Sequence, residues 1–224
     1  TRLGQNFLID PNLCDALVRE ADVQPGETVL EVGPGTGALT GPLLEAGAAL
    51  TAVELDRRLC EYLRSKWEDH ERFALVEGDA CKLDFDRRFD TSNYKLVANL
   101  PYSAGSRLLG TLLDVAHPPR QLFILLQKEV ADRLTAQPGT KAYGALSVRC
   151  QLLYECRQAR VVPGTVFFPP PAIRSAHVCM TLQPDVPAQR ERRVISRVAK
   201  AAFSHRRKKL ARVLDGALPA TDWA

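Results

Sequence analysis

The chain has 224 residues, 46% of them hydrophobic and 25% charged, with a net charge of +4 at neutral pH. That composition supplies a full core for one domain with a small extension and excludes a disordered or fibrous chain. The longest apolar run, Leu122 to Leu126, is far too short to span a bilayer, so no membrane association is expected.

Predicted elements alternate along the chain. Asp10-Pro11 reads as the N-cap and first position of a helix, with Leu13, Leu17 and Ala21 on one face. Thr28 to Val32 reads as a strand running into Gly33-Pro34-Gly35-Thr36-Gly37, and a helical pattern with Leu39, Leu43 and Leu44 follows. Strand, glycine loop and helix make a nucleotide-cofactor loop, where glycine lets the backbone approach a ligand closely. It is not the dinucleotide fingerprint, because Ala38 stands where that pattern has its third glycine. The next strand, Leu50 to Glu54, ends in an acid able to accept from both hydroxyls of a ribose. Phe73 to Glu77 leads to Gly78-Asp79, an acid placed to accept from an adenine amino group. Gly loop, Glu and Asp at three consecutive strand ends describe an S-adenosylmethionine site.

Tyr94 to Ala98 is another buried strand, and Asn99-Leu100-Pro101-Tyr102 stands where it ends. Ligands of open α/β sheets bind outside the carboxyl ends of strands. The set suits methylation of an amino group on a flat ring. The Asn99 amide oxygen and the Pro101 carbonyl are two acceptors for the amine, and Tyr102 stacks on the ring. A nicotinamide site, the rival reading, gives these four residues no role.

A strand near Ile124 follows, then a helix from about Gln127 to Thr135, a loop at Pro138-Gly139 and a helix from Ala145 to Tyr154. Arg157 to Val162 and Ala176 to Leu182 read as an edge hairpin. The expected fold is therefore α/β: a doubly wound, Rossmann-like sheet, mostly parallel, with an antiparallel edge hairpin. The hairpin's insertion carries Val166-Phe167-Phe168-Pro169-Pro170-Pro171. Three prolines stiffen it, so one phenylalanine is expected to be an exposed platform for a base and the other to pack inward.

Charge is concentrated at the C-terminal end. Arg190, Arg192, Arg193, Arg197, Lys200, Arg206, Arg207, Lys208, Lys209 and Arg212 face one acid, Glu191, a local charge of +9 that leaves −5 for the rest. Val194, Val198 and Ala201 recur at helical spacing and are expected to pack this tail, with its basic face turned to nucleic acid. The expected division is a catalytic domain over 1–183 and a basic helical segment over 188–224. The cysteines, Cys14, Cys60, Cys81, Cys150, Cys156 and Cys179, form no CxxC pair or Cys/His cluster, so no metal site is expected. Scattered thiols fit a reducing, cytoplasmic setting.

These motifs together resemble those of the KsgA-type ribosomal RNA small-subunit adenine dimethyltransferases, from Leu3 to about Leu214. The resemblance is carried by Gly4-Gln5-Asn6-Phe7-Leu8, Glu31 to Gly37, Glu54-Leu55-Asp56, Gly78-Asp79 and Asn99 to Tyr102. It extends through Leu126 to Val130, Lys141-Ala142-Tyr143-Gly144, Phe167 to Ser175 and Phe203 to Lys208. It implies that Gln5, Asn6, Leu8, Gly33, Gly35, Gly37, Glu54, Asp79 and Asn99 hold S-adenosylmethionine. It makes Asn99, Leu100, Pro101, Tyr102 and Phe167 the catalytic set, with Phe167 rather than Phe168 as the base-stacking ring. Arg206, Arg207, Lys208 and Lys209 would contact RNA. The implied substrate is a pair of adjacent adenosines in a hairpin loop near the 3′ end of small-subunit rRNA, each methylated twice by a monomer. Ser103 and Phe168 depart from residues common in that family, and its members usually continue with further helices beyond the basic segment. An Erm-like large-subunit rRNA methylase and a non-catalytic RNA-binding assembly or transcription factor are the alternatives. Leu100 and Lys141 to Gly144 favour the small-subunit group, and an intact Asn99 to Tyr102 disfavours a binding module.

Overall fold

The computed structural model of the protein describes residues 5–89, 91–102, 104–205 and 208–217. In chain order the elements are β1 (Phe7–Leu8), α1 (Pro11–Ala21), β2 (Thr28–Val32), α2 (Thr40–Glu45), β3 (Ala49–Glu54) and α3 (Arg57–Trp67). Next come β4 (Phe73–Glu77), α4 (Phe85–Arg88), β5 (Lys95–Asn99), α5 (Gly105–Leu112), β6 (Gln121–Gln127) and α6 (Lys128–Leu134). The chain continues through α7 (Ala145–Leu153), β7 (Tyr154–Val162), β8 (Phe167–Phe168), β9 (Ser175–Leu182), α8 (Gln189–Ser204) and α9 (Leu210–Ala217).

Seven strands form one sheet in the order β4-β3-β2-β5-β6-β9-β7. The first five are parallel, and β9 and β7 add antiparallel at the edge, as the strand and hairpin patterns predict. Side chains alternate between the two faces. Leu30, Leu96 and Ile124 pack on α5, α6 and α7, while Val29, Val97 and Phe123 pack on α1 and α2. The predicted start of α1 is present: Asp10 Oδ1 accepts from the Leu13 amide at 2.9 Å. Its far end is stapled to the sheet. Buried Lys95 Nζ donates to the carbonyls of Ala21 (2.7 Å) and Asp22 (2.8 Å) and pairs with Glu27 at 3.0 Å. Among the described residues, no helix is long and apolar enough to cross a membrane.

Two expectations are corrected. The insertion after β7 is more than a proline-stiffened stretch, because its two phenylalanines form β8 and pair antiparallel with β1. The packed face of α8 is Arg192, Ser196 and Ala199, with Val194, Val198 and Ala201 only half-buried. Arg192 therefore belongs to no RNA-facing surface. Its guanidinium donates to the carbonyls of Leu113 (3.2 Å), Val115 (2.7 Å) and Ala116 (3.3 Å), closing the end of α5. These carbonyls belong to the cap and the loop just past α5, and a buried guanidinium with several N–H donors satisfies all three.

Candidate functional site

The sheet order reverses between β2 and β5, whose carboxyl ends lie side by side. That switch point is where an open α/β sheet leaves a crevice. A cleft of about 620 Å³ lies there, lined by Gln5, Asn6, Phe7, Leu8, Gly33, Gly35, Glu54, Asn99, Leu100, Pro101 and Tyr102, with Glu31 on its wall. A second, apolar slot of about 420 Å³ shares Gly33, Glu54, Leu100 and Pro101 with it and runs on to Gly78, Asp79, Cys81 and Leu108. The expected cofactor residues thus meet along two joined cavities. Gly37 stands apart from both. Its φ is +83°, and the Trp67 ring fills the space a side chain would take. Gly35, at φ +60°, admits the ring of Phe7 against its backbone.

Glu54 is buried and already organises the site. Its Oε2 accepts from the Gly35 amide (3.2 Å), and Oε1 accepts from Leu55 (2.8 Å) and Asp56 (2.9 Å). A carboxylate has about four acceptor positions, so one, on Oε2, remains for a ribose hydroxyl. Asp79 Oδ1 caps the short turn at Cys81 (2.9 Å), and Oδ2 is 3.8 Å from Arg107. Glu31, which the sequence offers no reason to single out beyond its motif, is fully buried and accepts from the Thr40 hydroxyl at 2.7 Å. Burial pushes its carboxyl up to about 8, the nearby Glu54 adds to the rise, and the Thr40 hydroxyl opposes it. Leu55, Cys81 and Leu108 line the apolar slot and were likewise not foreseen, since their side chains read as ordinary loop and core residues.

At the end of β5, Asn99 Nδ2 donates to the Asn6 carbonyl at 3.1 Å. A carbonyl only accepts, so the amide's NH2 must face Asn6, and Oδ1 remains an acceptor. The Pro101 carbonyl is a different case from the one its sequence suggests. It accepts from the amides of Ala104 and Gly105, both at 2.9 Å, where α5 begins. Both of its lone pairs are committed, so it is not the second acceptor. Leu100 lines the same cleft, and its amide is anchored to the Leu125 carbonyl at 2.9 Å. Tyr102 is held at its hydroxyl by a short bond to the buried Ser175 hydroxyl.

The two phenylalanines exchange the placements expected of them. Phe167 is 2% exposed and packs in the core beside Leu8, whereas Phe168 is 65% exposed. Period-two alternation in β8 allows one ring to enter the core, and the register with β1 selects Phe167. Of the basic tail, Lys208 and Lys209 are exposed, and Arg206 and Arg207 lie outside the described residues.

The absence of a Cys/His cluster is also corrected. Cys179 Sγ is 3.9 Å from His177 Nε2 and 3.6 Å from Glu20 Oε1, and His177 Nδ1 is 3.2 Å from Glu20 Oε2. The fold brings α1 onto β9, a juxtaposition that spacing along the chain does not reveal. The set does not converge on one ion. Sulfur and carboxylate address opposite nitrogens of the ring, and Arg157 (3.1 Å) and Arg160 (2.9 Å) already neutralise Glu20.

Comparison with known proteins agrees with this geometry. The model of the ribosomal RNA adenine dimethylase family matches residues 1–222. A ribosomal RNA small subunit methyltransferase A from Thermosynechococcus vestitus is 44% identical over 218 residues, covering 95% of this chain and 81% of the relative. A protein of the same name from Magnetococcus marinus is 44% identical over 222 residues, covering 97% and 79%. A dimethyladenosine transferase structure from Plasmodium falciparum has a TM-score of 0.77 at 25% identity, over 93% of this chain and 74% of that one. The 23S rRNA methyltransferase ErmE shares the fold, with a TM-score of 0.74 at 24% identity over 96% and 86%. Matched along nearly its whole length, with relatives of this identity, the chain belongs to the ribosomal RNA adenine dimethylases.

Proposed function

We propose that the protein transfers methyl groups from S-adenosylmethionine to the exocyclic amines of two adjacent adenosines in a hairpin loop near the 3′ end of small-subunit rRNA, giving N6,N6-dimethyladenosine during ribosome biogenesis. The observation that carries this reading is the orientation of Asn99, whose bond to Asn6 leaves Oδ1 as an acceptor on the cleft. The joined cavities suit the cofactor. An apolar slot with Asp79 at its end fits an adenine, and Glu54 at the junction fits a ribose. When bound, S-adenosylmethionine supplies an activated methyl on a sulfonium.

The chain's own residues supply the rest. The adenine amine is a poor nucleophile because its lone pair is delocalised into the ring. Asn99 Oδ1 and the Leu100 carbonyl accept from it, draw it toward tetrahedral geometry and support the positive charge that develops on nitrogen. Holding the amine in line with the methyl contributes as an orientation effect. The product proton is acidic and leaves to water. Tyr102, fixed by Ser175, stacks on the extruded base and offsets an extrusion cost of roughly a few kcal/mol. Unstacked RNA loops lower that cost. Exposed Arg190, Arg193 and Lys200 on α8, continued by Lys208 and Lys209, meet phosphates. The protein acts as a cytoplasmic monomer. The test is to map dimethyladenosine on small-subunit rRNA from cells lacking the gene. The adjacent adenosines should be unmodified and regain their methyl groups with the wild-type gene. Full modification without it contradicts the proposal.

A further inference from the structure

Phe168 stands opposite Phe7 in the β1–β8 pair. Opposed residues of an antiparallel pair project to the same face, with Cβ atoms about 4.5–5.5 Å apart. Phe7 lines the cleft and lays its ring against Gly35, so Phe168 lies on the cleft side of this small sheet. Leu8, which also borders the cleft, and Phe167 project to the other face and pack into the core. Ile9 follows Phe7 by two positions, shares its face and is 57% exposed, while its amide ties the strand to the Val166 carbonyl at 2.9 Å. The cleft is therefore flanked by an exposed aromatic ring on a paired strand, with an aliphatic neighbour. The catalytic reading uses neither.

Resting on the RNA reading above, we propose that Phe168 is a second stacking platform, which takes the base next to the adenosine in the cleft. Extruding one nucleotide strips a stacking partner from each of its neighbours. A ring carried at the rim on a paired strand replaces that partner, because every base has a π-face to offer. The occupant is a nucleobase rather than a protein side chain for a reason of place. The same rim leads directly to the acceptors Asn99 and Glu54, which suit nucleosides, and an extruded nucleotide must carry its neighbour to that rim. With adjacent adenosines as targets, that neighbour is in one of the two orders the partner adenosine itself. Phe168 would be a positioning residue that contributes to RNA affinity and not to methyl transfer as such.

The test is a binding cycle on the wild-type protein, Phe168→Ala and Phe168→Trp. Hairpin RNA carrying the two adenosines is used intact, or with an abasic site on the 5′ or the 3′ side of the target, and dissociation constants are read by filter binding. Phe168→Ala should bind intact RNA about 5- to 150-fold more weakly, the loss that one base–aromatic stack corresponds to. Phe168→Trp should bind like wild type. One abasic RNA should weaken wild type by a similar factor and weaken Phe168→Ala no further, the coupling expected of groups in contact. Unchanged binding of intact RNA by Phe168→Ala, losses that simply multiply for both abasic RNAs, or failure of the wild type to bind would each overturn the inference. Binding with this coupling but without methyl transfer would instead sink the catalytic reading and leave this one standing.

Discussion

Asn99 Nδ2 and the Asn6 carbonyl, 3.1 Å apart, join positions separated by 93 residues. The bond fastens the segment that begins the described chain across the end of β5. It also fixes which side of the amide remains for a substrate. The same segment brings Phe7 to Gly35 and Leu8 to the core, so one wall of the cleft depends on this contact.

Glu54 has two tasks, and its removal should show both. Glu54→Ala is expected to weaken S-adenosylmethionine binding by about 1–3 kcal/mol through the lost ribose contact. Glu54→Gln should not restore it, because its NH2 would face a backbone donor in either orientation, the Gly35 amide in one and those of Leu55 and Asp56 in the other. Calorimetry giving wild-type affinity for either variant would remove Glu54 from the cofactor site.

The Tyr102–Ser175 bond predicts a non-additive pair. Tyr102→Phe keeps the stacking face but frees the ring, and Ser175→Ala does the same from the other side. Each should lower kcat/KM for RNA by up to about tenfold, with the double variant little worse than either, as for residues acting through one contact. Losses that multiply would mean that the hydroxyls act separately.

Much of this was legible in the sequence, for physical reasons. Strand ends announce themselves where apolar runs stop at Gly33, Glu54, Gly78 and Asn99, and parallel strands buried on both faces read as continuous apolar runs. The choice between Phe167 and Phe168 was not legible, because it is set by pairing with β1, a two-residue strand too short to leave a pattern. The commitment of the Pro101 carbonyl depends on where α5 starts, and the burial of Arg192 on what α8 packs against. Each is a tertiary fact about a residue whose type suits both roles.

Glu31 gives the protein an unusual pH dependence. Its carboxyl ionises near the ordinary 4.5 when the chain is unfolded but is pushed up to about 8 by burial in the folded state. Between those values the folded protein holds the extra proton. Its contribution to stability is therefore full below about 4.5, falls as pH rises through the window and is flat above about 8. Glu31→Gln should abolish this decline, so that the variant gains on the wild type from acid toward pH 8 in urea unfolding. Parallel profiles would show that Glu31 is ionised in the fold.

Basic residues on α8 should separate into two kinds. Replacing exposed Arg190, Arg193 and Lys200 with Gln should flatten the log–log dependence of RNA affinity on salt by about two to three units, each phosphate contact contributing about 0.7–0.9. Stability should hardly change. Arg192→Gln should instead lower stability by about 1.5–3 kcal/mol or more, since a charged donor to three carbonyls is lost. A salt slope indifferent to the triple change would leave α8 a merely solvated face.

The central claim is that Asn99 acts on the amine in the transition state, and one measurement addresses it most directly. Tritiated methyl transfer from S-adenosylmethionine to small ribosomal subunits lacking the modification is followed for wild type and Asn99→Ala, with subunit binding measured alongside. Wild type should transfer methyl to the two adjacent adenosines. Asn99→Ala should turn over about 100-fold or more slowly, as when one oriented polar group is lost from a catalytic site. Its subunit affinity should be nearly unchanged, because phosphate contacts away from the cleft carry most of the binding. Full activity in Asn99→Ala, or wild-type protein that binds these subunits and transfers no methyl group, would contradict the account.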